Sequence, residues 1–342
     1  MRTGIVKDWR YMEHDMGSFH VENPKRIEVI YRMLEAEITF PLLEIEPRPA
    51  TEEEVHMVHA PSYVNLIKDT SGKERVSLDP DTATSARSYE VALLAAGGLL
   101  KAVDLVMEGK IQNGFALVRP PGHHAEATRA MGFCLFNNIA IAAEYLIKKH
   151  AIKRILIVDW DLHHGNGTQH TFYDRDDILY FSTHQFPYYP GTGYWNETGQ
   201  GKGEGFTVNV PLRPGKGDRD YLFIFKKILS PIVYEYKPEF ILVSAGFDIY
   251  RGDPLGGMEV TEEGFGALTS ELLSFAHDFS QERILFTLEG GYDFQGLREG
   301  VKYVLLYLSG EGEKPNIEES ISSLTDRELA PVFETQKKYW KL

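Results

Sequence analysis

The stretch Arg154-Ile155-Leu156-Ile157-Val158-Asp159-Trp160-Asp161-Leu162-His163-His164 decides the fold. Its unbroken aliphatic run suits a strand buried on both faces of a parallel sheet, and the run turns polar at its carboxyl end. A second stretch, Phe240-Ile241-Leu242-Val243-Ser244-Ala245-Gly246-Phe247-Asp248, behaves in the same way. Upstream, Arg119-Pro120-Pro121-Gly122-His123-His124 follows the apolar Phe115-Ala116-Leu117-Val118. In open α/β sheets, ligands and chemistry collect just beyond the carboxyl ends of the strands. Strand ends that carry carboxylates and imidazoles therefore mark a site, not a core.

Working outward, further strands are expected at 114–118, 178–182, 206–210 and 284–288, beside those at 154–159 and 240–244. Helices are expected at 51–68, 85–109, 137–149, 218–236, 261–279 and 296–308. Strands alternating with helices predict an α/β fold, a three-layer αβα arrangement around a mostly parallel sheet with right-handed crossovers. Gly- and Pro-rich stretches at 187–205 and 250–257 predict long loops at the carboxyl edge of that sheet. No linker or repeat divides the chain, so residues 1–342 are expected to form one catalytic domain. Pro331 to Leu342 is expected to dock its aromatics on the body.

At 342 residues the chain can bury a large core without staples. Lys and Arg total 36 against 50 Asp and Glu, a net charge of −14. Such a surface repels phosphate backbones, which argues against direct nucleic-acid binding and favours cationic ligands. The single cysteine, Cys134, excludes intrachain disulfides and all-thiolate zinc sites, so any metal must be held by His and carboxylates. No run reaches the ~18 apolar residues of a membrane span, and MRTGIVKDWRYMEHDMG lacks the pattern of a secretory leader. A reducing, cytoplasmic setting is the expectation. Homo-oligomerisation is compatible with all of this.

In an extended segment alternate side chains share a face, so Asp159, Asp161 and His163 lie together opposite Trp160 and Leu162. An Asp-X-His pair can hold one metal through oxygen and nitrogen, and Asp248 would complete an Asp/His/Asp set. Three protein ligands leave a position open for water or substrate, as catalytic zinc requires. The bland alternative, that the aspartates only cap a helix, weakens once a second strand ends in the same manner. The tandem His123 and His124 can divide labour, one accepting a proton while its neighbour stays charged. Each then needs a partner on its far nitrogen. Gly290-Gly291-Tyr292 ends the strand at 284–288, where glycine allows close approach and Tyr292 would project across the site. Taken alone, Tyr292 would be read as a core residue.

These residues closely resemble the histone deacetylase superfamily, which includes bacterial deacetylase-like and acetylpolyamine amidohydrolase members. The matching motifs are RPPGHHA at 119–125, MGFCLFNN at 131–138, DWDLHHGNGT at 159–168, YPGTG at 189–193, SAGFD at 244–248 followed by GDP at 252–254, and EGGYD at 289–293. They keep the family order across about residues 17–310. The Arg-Pro-Pro before the tandem His, and Asn166 where other members carry Asp, look like the class II branch.

The resemblance implies a single Zn²⁺ on Asp161, His163 and Asp248, with Fe²⁺ as the other metal to consider. It implies His124 as the proton shuttle braced by Asn166, and His123 as its charged neighbour braced by Asp159. Tyr292 would polarise the acyl carbonyl, and the Gly132 carbonyl would receive the substrate N–H. Phe133 and Tyr189 would line a narrow tunnel, Arg26 would lie near the foot of the pocket, and Asp79 or Asp81 would stand at the rim. A structural K⁺ or Na⁺ would use backbone oxygens of Asp159, Asp161 and His163 with Ser182 and Thr183. A second such ion would map to carbonyls of Phe172, Arg175, Ile178 and Phe206. Cys134 gets no nucleophilic role, and His20 is a candidate for the entrance.

The activity implied is removal of acetyl or another short acyl group from the amine of an acylated lysine peptide or a related acetylated amine. Some polyamine-selective relatives place an acidic residue directly after the GDP motif. Here that position is Leu255, which leans toward acyl-lysine, with acetylpolyamine deacetylation as the alternative. An arginase-like two-metal ureohydrolase would need more carboxylates than Phe247-Asp248-Ile249-Tyr250 offers. A catalytically silent acyl-binding module should have lost a ligand, a His or the Tyr, and none is missing.

Overall fold

The aliphatic runs form the middle of an eight-stranded sheet in the computed structural model, which describes residues 2–313, 317 and 323–342. The strands are β1 (Thr3–Val6), β2 (Leu43–Ile45), β5 (Asn113–Ala116), β6 (Ile155–Asp159), β7 (Ile178–Gln185), β8 (Thr207–Leu212), β9 (Phe240–Ala245) and β10 (Ile284–Leu288). A separate antiparallel pair, β3 (Val76–Ser77) and β4 (Ala83–Thr84), lies outside the main sheet. The main order is β2-β1-β5-β10-β9-β6-β7-β8, and every pairing in it is parallel. Residues of β5, β6, β9 and β10 are buried throughout, because helices cover both faces.

The helices are α1 (Lys25–Glu37), α2 (Glu52–Val55), α3 (Pro61–Lys68), α4 (Ser88–Met107), α5 (Asn138–His150), α6 (Asn166–Phe172), α7 (Asp218–Ile224), α8 (Ser230–Tyr236), α9 (Glu262–Phe279), α10 (Phe294–Ser309) and α11 (Ser323–Gln336). α4 packs beside α5, and α10 packs against both α1 and α9. The result is the three-layer α/β arrangement that the alternating pattern predicts.

Where the structure departs from the sequence reading, local chemistry explains it. The helix expected over 51–68 is divided: α2 stops at Val55, turns follow, and Ala60 is extended because it precedes Pro61, where α3 begins. The 218–236 helix contains a π-helical turn at Phe225–Leu229, just before Pro231, whose missing N–H cannot continue the regular bonding. β1 and β2 were not expected. They are short and lie at the sheet's far end, and β2 lacks the long aliphatic run of the central strands. α1 was likewise unassigned, although Ile27, Ile30, Tyr31 and Leu34 are buried at helical spacing. Pro331 lies inside α11, and the terminal aromatics dock as expected: the Trp340 indole N–H donates to the Gly205 carbonyl at 2.9 Å, the Tyr339 hydroxyl donates to Glu204 Oε1 at 3.0 Å, and Phe333 packs on the core.

The sheet order brings β5, β10, β9 and β6 side by side. Their registers align Asp159 with Ser244, Ala245 with Leu288, and Thr287 with Ala116. Four polar strand ends therefore open on one place.

Candidate active site

Beyond those four strand ends lies a cavity of ≈ 240 Å³. His123, His124, His163, Gly290 and Tyr292 line its foot, and Asp81, Phe133, Tyr188, Tyr189 and Leu255 its walls and mouth. Asp161, His163 and Asp248 each offer a buried ligand atom, and those atoms lie within 4.8 Å of one another. No other cluster of three such residues occurs among the described residues.

The donor geometry fits one divalent ion. His163 Nδ1 stands 3.2 Å from Asp161 Oδ1 and 3.1 Å from Asp248 Oδ2. Two ligands at the ~2.0–2.1 Å of a tetrahedral zinc site stand about 3.3 Å apart, so little adjustment is required. The charge also fits. Burial pushes the Asp248 carboxyl up to about 7, with Asp161 adding repulsion and His163 opposing it. Burial disfavours charge on His163, but both carboxylates outweigh it and raise the imidazole to about 9. A divalent ion held there would favour both carboxylates in their charged form and His163 in its neutral form. The other Asp248 oxygen accepts the Leu162 N–H at 2.9 Å, and Asp161 Oδ2 accepts the Gly290 N–H at 2.8 Å, so the carboxylates are aimed. A Cβ at residue 290 would fall 2.3 Å from Asp248 Oδ2 and 2.6 Å from Asp161 Oδ2. Only glycine lets that strand end approach so closely.

The tandem imidazoles differ in charge. His123 Nδ1 is 3.1 Å from Asp159 Oδ2. Burial opposes charge on His123, and Asp159 and Asp161 overcome it, raising the ring to about 10. Asp159 also accepts the Tyr180 hydroxyl at 3.0 Å and the Asp161 N–H at 3.2 Å, bonds that favour the carboxylate and leave the proton on His123. Burial pushes His124 well below the ordinary range, helped by charge on His123 and His163. Its Nδ1 lies 2.7 Å from Asn166 Oδ1. One ring is charged and its neighbour neutral, with ring centroids 4.0 Å apart.

Tyr292 faces the same cavity, and burial raises its phenol well above the ordinary range against the opposing charge of Arg26, so it stays a donor. Arg26 itself lines no part of the cavity. It is wholly buried behind Tyr292, its guanidinium 5.0 Å from that ring, and is engaged by Glu22 and the carbonyls of Glu289 and Gly291. Glu22 also binds Arg119, so two guanidiniums share one buried carboxylate.

Of the two rim candidates, Asp81 lines the cavity, while Asp79 is occupied with the N–H groups of Asp81 and Thr82. His20 stands behind the wall, bonded to the Asp81 carbonyl at 3.1 Å and edge-on to Phe133. Phe133 holds a left-handed φ of 68°, a strain of roughly 1 kcal/mol for a non-glycine residue, and its N–H donates to Thr82 Oγ1 at 3.0 Å. The preceding Gly132 is also left-handed, and a Cβ there would meet His124 Cδ2 at 2.2 Å. The Gly132 carbonyl accepts the weak Cys134 thiol donor at 3.3 Å, which leaves a lone pair for another donor. Cys134 is buried, and burial pushes its thiol well up.

Asp159 and Ser182 are register partners across β6 and β7, with Asp161 and His163 on the loop that follows β6. Thr183 Oγ1 is buried without a hydrogen-bond partner there. The carbonyls of Phe172 and Phe206 each already accept a backbone N–H.

Several residues at the site carried no expectation. Glu289 accepts the N–H groups of Gly122 and His123 at 2.6 and 3.1 Å and the Ser244 hydroxyl at 3.0 Å, binding the β5 turn to β9 and β10. Asp253 accepts the N–H groups of Tyr292 and Asp293 at 2.7 and 3.1 Å, which fixes the Tyr292 backbone. Tyr188 stacks on His163 at 5.7 Å, and its hydroxyl donates to the Leu255 carbonyl at 2.7 Å. The motifs around Glu289 and Asp253 were visible in sequence. Their partners were not.

Residues 20–308 match the histone deacetylase domain model. A "Probable deacetylase" of Archaeoglobus fulgidus is 41% identical over 299 residues, which covers 86% of this chain and 83% of that protein. Histone deacetylase 18 of Arabidopsis thaliana is 40% identical across 99% of this chain and 52% of its own length. The human polyamine deacetylase HDAC10 is 41% identical across 86% of this chain and 45% of its own. The chain thus spans about half the length of these eukaryotic relatives. The crystal structure of the HDA15 HD domain superposes with a TM-score of 0.93 at 38% identity, covering 99% of this chain and 97% of that one.

Proposed function

The chain belongs to the histone deacetylase family, and from that premise we propose that it is a zinc-dependent amidohydrolase that removes acetyl or short acyl groups from lysine side chains. The observation that carries the reading is the convergence of Asp161, His163 and Asp248 at the foot of a cavity that also receives His123, His124 and Tyr292. Asp161, His163 and Asp248 would hold the zinc, which would supply Lewis acidity there.

The chain's own residues supply the rest. His124, neutral at Nε2, takes the proton of the attacking water and returns it to the leaving amine. Asn166 holds the other nitrogen of that ring. His123, charged and paired to Asp159, offsets negative charge as it develops. The Tyr292 hydroxyl donates to the acyl oxygen as it gains charge. Phe133, Tyr188 and Tyr189 pack along an aliphatic linker and exclude water, and the free lone pair of the Gly132 carbonyl accepts the amide N–H. Asp81 meets the substrate at the rim.

Leu255 at the mouth favours a neutral linker over a second ammonium, which places acyl-lysine ahead of acetylpolyamine. HDAC10, by its name a polyamine deacetylase, keeps the alternative in view. The orphaned Thr183 hydroxyl beside Ser182 suits a structural K⁺ or Na⁺ at the backbone oxygens of Asp159, Asp161 and His163. A second ion would draw on the carbonyls of Phe172, Arg175, Ile178 and Phe206. One catalytic domain and a cytoplasmic setting complete the reading; among the described residues no helix is long and apolar enough to cross a membrane.

The test is a side-by-side assay of zinc-loaded chain on an acetyl-lysine peptide and on acetylated spermidine. Faster turnover of the peptide is expected. Preference for acetylspermidine would reverse the substrate order, and no hydrolysis of either would overturn the reading.

A further inference from the structure

The hydrogen bonds around His124 continue one step past Asn166. Asn166 Oδ1 lies 2.7 Å from His124 Nδ1. At the other end of the same amide, Nδ2 donates to Glu126 Oε1 at 2.5 Å, with the His124 carbonyl at 3.3 Å and Met131 Sδ at 3.4 Å nearby. None of these three can donate when Glu126 is ionised. The NH₂ must therefore face them, which leaves the amide oxygen for the imidazole. An oxygen at Nδ1 selects the tautomer with its proton on Nδ1 and a lone pair on Nε2, the form that a general base requires.

Glu126 is itself anchored. Its N–H donates to the Arg129 carbonyl at 2.9 Å, and its own carbonyl accepts from His59 Nδ1 at 2.9 Å. His170 Nδ1, from α6, lies 2.8 Å from the same Oε1 that holds Asn166. The charges facing this pair are Arg129 on the same turn and Glu197 beyond His170. The Glu126 side chain is 16% exposed, so the link is largely shielded from water.

We propose that Glu126 is a positioning residue for the hydrolysis: its carboxylate fixes the Asn166 amide and, through it, the tautomer of His124. This rests on the deacylase reading above. Without the carboxylate only the longer contacts to the His124 carbonyl and Met131 Sδ, at 3.3 and 3.4 Å, oppose a turned amide that presents NH₂ to the ring. Glu126 makes that turn costly and lends its charge to the far end of the amide without placing a second carboxylate against the imidazole.

The experiment is a double-mutant cycle on the full zinc-loaded chain with an acetyl-lysine peptide. Glu126→Ala is expected to lower kcat about 10–100-fold, the usual cost of losing an orienting partner, with KM within about twofold. In an Asn166→Ala background the same change is expected to cost nothing further. Glu126→Gln, which can turn its amide oxygen toward Asn166, should return kcat to within about threefold of native. If the alanine variant does not fold, Glu126→Asp keeps the charge but withdraws the acceptor, and the same loss and non-additivity are expected. A readout independent of turnover is the ¹⁵N shift pair of the His124 ring, which should move from one tautomer toward a mixture in Glu126→Ala. Native kcat in both the alanine and aspartate variants, a full additional loss in the Asn166→Ala background, or unchanged ¹⁵N shifts would each overturn the proposal. If the native chain hydrolyses no acyl amine, the deacylase reading falls, while the ¹⁵N measurement still judges Glu126.

Discussion

The foot of the cavity and its rim are built in different ways. At the foot, Asp161, His163, Asp248 and His123 follow buried strands whose registers set their spacing, and backbone N–H groups aim both metal-facing carboxylates. At the rim, Tyr188 and Tyr189 are 41% and 37% exposed and belong to a loop. Leu255 sits on another loop, under the Tyr188 hydroxyl. A displaced atom at the foot disturbs bonds that hold several groups at once. A displaced ring at the rim changes mainly what can enter. The comparison separates the residues that set the reaction from those that set its substrate.

The largest effects belong to the foot. Asp248→Asn is expected to abolish zinc binding and hydrolysis together, measured by metal content and peptide turnover. Chelation of the native chain should give the same loss, restored by added zinc; activity that survives chelation would break the comparison at its base. Next come the proton-handling groups. His124→Ala should cost ~10²–10⁴ in kcat and Tyr292→Phe ~10²–10³, each with zinc content unchanged. A Tyr292→Phe enzyme as fast as native would remove the hydroxyl from the mechanism.

Smaller changes are expected at the rim. Leu255→Glu should shift kcat/KM toward acetylspermidine over acetyl-lysine peptide by about fivefold, the ~1 kcal/mol of a partly exposed ion pair. Competition between the two substrates in one tube reads this directly, and a fall in kcat for both would show that the rim also shapes the chemistry.

The smallest effect at neutral pH concerns the wall behind the foot. His59 is buried as a neutral ring, its Nδ1 bonded to the Glu126 carbonyl and its Nε2 accepting the Asn137 N–H at 2.8 Å. Burial lowers it from 6.5 to about 4, with Glu126 opposing. The unfolded chain then binds a proton that the folded chain refuses, so stability falls as pH drops from about 6.5 toward 4, by as much as ~3 kcal/mol. Thermal melts across that range should show His59→Gln with a flatter profile than native. Parallel profiles would show that other groups govern the acid limb.

Legibility followed the same division. β6, β9 and β10 were readable because each is an apolar run bounded by polar residues, β5 because Phe115 to Val118 leads into the Arg-Pro-Pro-Gly turn, and the triad followed from where β6 and β9 end. β1, β2 and α1 were not assigned. β1 and β2 are short segments with no polar motif at their ends, and α1 has Pro24 at its N-cap, with no capping side chain to announce it. Phe133 and Tyr189 could be named from motif position, but the left-handed turn that sets Phe133 into the wall could not. Glu126, Glu289 and Asp253 are not legible as site residues, because a lone carboxylate near a motif has no visible partner in one dimension.

Local pattern alone determined that buried parallel strands would end in Asp161, His163 and Asp248, with the tandem His123 and His124 at a third strand end. That follows because periodicity and strand ends are properties of consecutive residues. Only the tertiary structure decided that the Asn166 amide meets Glu126 at its far end, and how Glu289 ties Gly122 to a strand end 167 positions later in the chain. Those outcomes depend on which strands become neighbours and how much water is excluded between them, and neither quantity is written in any short stretch of the sequence.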